Sequence, residues 1–125
     1  MGMYNYLVLH GLTCPRCGHT ADHTVQFHFG HVTLHDYEIG DTLRWSPRQR
    51  DNRGEPGHHR VVTEGLTGAH PDCDGPFGPR RWPDDDLIDI YLDNDVITHA
   101  TWHDGTVVYP ETDRRRSTFL VLDTP

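Results

Sequence analysis

Every cysteine in this 125-residue chain falls in one of two short hooks. The first reads Cys14-Pro15-Arg16-Cys17-Gly18, and the second His70-Pro71-Asp72-Cys73-Asp74-Gly75, the same plan with His in the leading place. Donors at i and i+3 meet because one tight turn aims both side chains at a single point. Pro15 presets a backbone angle of such a turn, and Gly18 admits the left-handed conformation after Cys17. Asp74 tolerates that region better than most residues. Amides in the turn then face the sulfurs, which spreads thiolate charge and fixes the direction of the ligands. Three thiolates and one imidazole complete a tetrahedral shell for zinc. The expected ligands are Cys14, Cys17, His70 and Cys73. His19 and His23, just past the first hook, compete with His70 for the fourth place. Zinc is preferred to iron because a four-thiolate iron site would place Cys where His70 stands.

The paired hooks resemble the zinc-ribbon proteins, whose Cys-Pro-x-Cys-Gly turns are rubredoxin-type knuckles. The resemblance covers residues 14–18 and 70–75 only. It implies two β-turns beside a small antiparallel sheet, with the same four residues as ligands. Fifty-two residues separate Cys17 from His70, far more than a minimal ribbon needs, and the excess is expected as extra strands of one β-structure. Four protein ligands fill the shell, whereas a catalytic zinc keeps an open position. The cofactor expected is therefore structural Zn2+, and no catalytic residue is assigned.

A hydrophobic fraction of 34%, with 12 Gly and 9 Pro, points to many turns, short strands and limited burial. A chain of this kind gains most from a metal cross-link. The length fits one domain over residues 1–125. Residues 3–10, 23–29, 41–45, 59–66, 87–92, 95–102, 106–109 and 117–122 carry β-branched, aromatic or alternating patterns and read as strands, and 31–37 either continue the second of these or bend it at Gly30. No segment joins a helix start, apolar spacing of three or four and a stop. The expected fold is all-β: a small antiparallel sheet or partly open barrel with an integral Cys3His zinc ribbon. Residues 46–58 lack any large apolar side chain and read as a mobile surface loop.

The net charge is −8 with His neutral, and every basic residue is Arg. Five Arg in 44–60 stand against only Asp51 and Glu55, while 84–113 hold eight Asp and Glu111 with no Arg. A bipolar surface and a closed metal site point to a non-catalytic accessory module with a protein partner. The partner-binding residues expected are Arg48, Arg50 and Arg53, or Phe77, Arg80, Arg81 and Trp82 beside the second hook. Nucleic acid is a second expectation, since Arg80-Arg81-Trp82 combines charge with a stacking ring, but the net acidity opposes it. A metal-dependent enzyme is a third, built on a second site among His28, His31, His99 and His103. On a strand the last two would stand about 13 Å apart, too far for one ion. Asp93-Asn94-Asp95 reads as a hairpin turn, because the glycine and oxygen ligands of a calcium loop are missing. No Gly-x-Ser-x-Gly elbow or phosphate loop occurs. No run reaches the roughly 18 apolar residues of a membrane span, and no signal peptide is read at the N-terminus. Three reduced cysteines on a metal fit the cytoplasm.

Overall fold

The computed structural model describes residues 4–68, 85–109, 111–112, 115–116 and 119–122. Alternation sets the start of the sheet. In β1 (Asn5–Thr13) positions 5, 7 and 9 are buried, and in β2 (Thr20–Phe27) positions 23, 25 and 27. This is the period of two that a half-buried strand requires. The pair runs antiparallel from Asn5↔Phe27 to Thr13↔Thr20, so residues 14–19 form the hairpin tip. The 31–37 stretch bends instead of continuing. It leaves only β3 (Gly30–His31) and β4 (Asp36–Tyr37), and β4 lies parallel to β1. β5 (Asn52–Arg53) pairs with β3.

β6 (Arg60–Gly68) and β7 (Asp85–Asp93) pair over their whole length. β8 (Val96–Trp102) folds back on β7 through Asn94 and Asp95, both at positive φ (48° and 69°), as a tight two-residue hairpin connection demands. The triplet Asp93-Asn94-Asp95 therefore serves as a hairpin turn. β9 (Glu111–Thr112) pairs with β10 (Arg115–Arg116), and β11 (Phe119–Val121) pairs with β6. The 106–109 stretch is not a strand: Asp104 accepts the Thr106 amide at 3.0 Å and the Thr106 hydroxyl at 2.6 Å, which bends the chain there.

The main sheet runs β4-β1-β2-β6-β7-β8. One edge of β6 is shared: β2 takes Gly65 and Leu66, while β11 takes Val61 to Thr63. The fold is all-β, with no α-helix among the described residues and hence no helix long and apolar enough to cross a membrane. Two details of the expected architecture need correction. The sheet is mixed, because β4 joins it parallel, and it is not closed. The cause of the first is Asn5. Its carbonyl oxygen accepts the amides of Thr33 and His35 (3.1 and 3.3 Å), folding the chain into a tight turn that lays β4 alongside β1. What remains of a barrel is a short link in which Thr42 bridges Val96 and the Leu43 amide donates to Asp95 O at 2.7 Å. The chain leaving β4, at one end of the strand order, thus touches β8, at the other.

Leu7, Val25, Phe27, Tyr37, Ile88, Ile90 and Ile97 fill the inner face. Each such side chain contributes about 1.5–3 kcal/mol relative to exposure.

Candidate functional site

The first hook closes the β1–β2 hairpin. The Gly18 amide donates to Cys14 O at 3.0 Å and the Cys14 amide to His19 O at 2.9 Å. Gly18 takes φ +77°, the left-handed position the motif calls for. The Thr13 and Thr20 hydroxyls meet at 2.8 Å across its base. Cys14 is buried in the core cluster, while Cys17 and His19 are exposed. The neighbours of the hook come from distant parts of the chain. The Trp102 indole, at the end of β8, donates to Thr13 O at 2.8 Å. His23 shares a hydrogen bond of 3.1 Å with Thr67 of β6 and stands edge-on to Trp102, with ring centroids 5.4 Å apart. The end of β6, the start of β7 and the end of β8 are therefore gathered at the sheet end that carries Cys14 and Cys17.

His70 and Cys73, the second pair of expected ligands, lie outside the described residues, as do Phe77, Arg80, Arg81 and Trp82. His23, the rival for the fourth place, is buried against Thr67 and Trp102. The His-rich second site does not assemble. His28 packs edge-on to Tyr4, His99 stacks on Tyr91, and His103 turns to Asp89. Among the described residues no three His, Cys, Asp or Glu side chains are grouped to hold an ion.

Arg48, Arg50 and Arg53 are exposed, as is Arg44. The 46–58 segment that carries three of them is held by side chains. Asn52 accepts the Ser46 amide at 2.9 Å and donates to Ser46 O at 3.0 Å. The Ser46 hydroxyl accepts the Arg48 amide at 3.1 Å, and the Gln49 amide group donates to Gly54 O at 2.8 Å. Gln49–Asp51 form a single 3-10 turn. Gly54 sits at φ +78° with its Cα against the Phe29 ring, where any Cβ would collide.

A second polar cluster occupies the outer face of β7. Asp89 is 1% exposed. It accepts the Tyr109 hydroxyl at 2.6 Å and His103 Nδ1–H at 3.0 and 3.2 Å. Burial, reinforced by the hydrogen bond to Asp89, pushes the Tyr109 phenol far above its ordinary range and keeps it a donor. The sequence marked Asp89 only as part of an acidic run. Its partners lie 14 and 20 residues away, His103 between two stretches read as strands and Tyr109 in the second of them, so no local pattern announced the cluster. Further along this face, Tyr91 and His99 stack with centroids 4.4 Å apart and planes within 5°. They line an open groove of about 390 Å3 together with Arg60 and Leu122.

Comparison with protein-family models, with curated proteins and with solved structures finds no match to this chain.

Proposed function

We propose that the chain is a zinc-clasped, non-catalytic β-module that docks another protein. One observation carries this reading. The formed Cys14–Cys17 hook lies at the sheet end where β6 leaves its ladder, with Thr67 already in hydrogen-bond contact with His23. His70 follows Gly68 by two positions and Cys73 by five, and each residue extends the chain by up to about 3.3–3.6 Å. The short span of sequence from Gly68 to His70 and Cys73 supports a second ligand pair closing on the first. Bound zinc would be held by Cys14, Cys17, His70 and Cys73 and would supply a cross-link between the β1–β2 tip and the β6–β7 connection. With all four positions taken by protein, no reacting group has access to the ion.

The docking part rests on exposed arginines presented by an internally bonded loop. Nucleic acid is the weaker reading, because a net charge of −8 repels a polyanion.

Metal binding in such sites is worth about 10–16 kcal/mol in peptides, against a domain stability of about 5–15 kcal/mol. Stripping the metal is therefore expected to abolish cooperative unfolding. Differential scanning calorimetry with and without a strong chelator checks this, and Cys14→Ser and Cys73→Ser should behave as the stripped protein does. An unchanged melting temperature in all three would refute the clasp.

A further inference from the structure

We propose that the Arg44–Arg53 surface is a receptor for a short acidic segment of a partner protein, which rests on the docking reading above. Arg44, Arg48, Arg50 and Arg53 are all exposed, and none forms an ion pair among the described residues. In a chain of net charge −8 with 19 Asp and Glu, four exposed arginines without an ion pair among the described residues, within ten positions of sequence, run against the overall charge. Their spacing is set by backbone. His31 N–H donates to Arg44 O at 2.9 Å, while β5 pairs with β3 through Gly30↔Arg53. Arg44 and Arg53 thus flank β3 on its two sides, two strand spacings or about 10 Å apart. Arg48 precedes and Arg50 lies within the 3-10 turn that joins them in sequence, and both are exposed.

The local carboxylates offset only part of this charge: across 44–55 four arginines stand against Asp51 and Glu55. The Asp51 carboxylate is engaged by the Ser46 hydroxyl at 3.2 Å. The frame built by Ser46, Gln49 and Asn52, seated on Phe29, holds the loop before any ligand arrives, so little ordering opposes binding. Guanidinium forks match carboxylates in a bidentate way. Backbone positions about 10 Å apart suit a few Asp or Glu residues in extended chain, since six residues reach about 20 Å.

Two other occupants fit less well. Single-stranded nucleic acid is held by stacking on aromatic rings. Residues 46–58 contain no Phe, Tyr or Trp, and the adjoining Trp45 is turned edge-on to Phe29, centroids 5.3 Å apart. A second copy of this chain would have to offer its acidic stretch. Within that stretch Asp86 and Asp89 are buried, 3% and 1% exposed, which removes two of the carboxylates such a contact would use.

The test titrates fluorescein-labelled hexaglutamate with the full chain, read by anisotropy at low and near-physiological salt (about 0.15 M). Binding that weakens with salt is expected. Arg48→Gln with Arg50→Gln should weaken it by roughly tenfold. Arg60→Gln removes the same charge from a guanidinium 3.6 Å from Asp93 and should leave affinity within about twofold. Circular dichroism confirms that the variants fold. No binding by folded protein, an equal loss in Arg60→Gln, or tighter binding of an oligothymidine of equal charge would overturn the proposal. So would sedimentation showing self-association that the double variant abolishes. Zinc content is measured on the same sample. Zinc-loaded protein that ignores the peptide removes this inference alone, and zinc-free protein that binds it removes the clasp alone.

Discussion

Asn5 commits its whole side chain to one bend. It is fully buried, and its amide group donates to Phe29 O and His31 O (both 3.2 Å) while its oxygen accepts the Thr33 and His35 amides. All four partners belong to one bend, so one side chain sets the turn that β3, Leu34 and β4 share. Leu34 is held there at φ +60° and half exposed, a conformation that disfavours a branched residue. Asn5→Leu would leave these groups without partners, at about 1–3 kcal/mol for each one that stays buried. We expect a loss of about 3–5 kcal/mol, checked by urea unfolding; a loss under about 1 kcal/mol would mean the bend does not depend on Asn5.

His10 provides the pH-dependent counterpart. Glu38 at 3.0 Å, and then Asp22 at 3.6 Å, raise its pKa above the usual histidine value. A raised folded-state pKa means that the stabilisation is fully present below the unfolded value of about 6.5 and is lost as pH rises through the folded value. An NMR titration should find His10 above 6.5, and Glu38→Gln should bring it down. A His10 pKa below 6.5 would contradict the arrangement.

At the scale of elements, legibility followed the source of the order. β1, β2, β6 and the β7–β8 hairpin were readable because their apolar residues alternate or run continuously between turn residues. The first hook was readable because its turn is encoded within five residues. The ordering of 46–58 was not, because it comes from Ser46, Gln49 and Asn52 bonding to backbone, and any polar loop carries such residues. The Asp89 cluster was hidden for another reason. Alternation along β7 assigns Asp89 to the solvent face, and it is buried only because His103 and Tyr109 fold over it. Tyr109→Phe removes one donor to a buried carboxylate and should cost about 1–3 kcal/mol. Hydrogen exchange concentrated in residues 103–109 would locate the loosening there. Unchanged exchange would show that the cluster does not hold this segment.

For the whole molecule, contacts from Thr42 and Leu43 to Asp95 and Val96 link the chain leaving β4, at one end of the strand order, to the β7–β8 hairpin at the other. At the opposite end, where the hook closes the β1–β2 tip, the proposed zinc clasp would add a second tie. The bipolar charge read from sequence is unequal in kind. The basic side is a set of exposed arginines, whereas part of the acidic run is internal and belongs to packing. On the reading proposed above, a metal would supply rigidity to the module and the bonded loop its recognition.

X-ray absorption at the zinc edge, on tag-free protein purified without added metal, addresses the clasp most directly. One zinc per chain is expected, surrounded by three sulfurs at about 2.3 Å and one imidazole nitrogen at about 2.0 Å. Folded protein with no stoichiometric metal, or with a metal shell lacking sulfur, would contradict it.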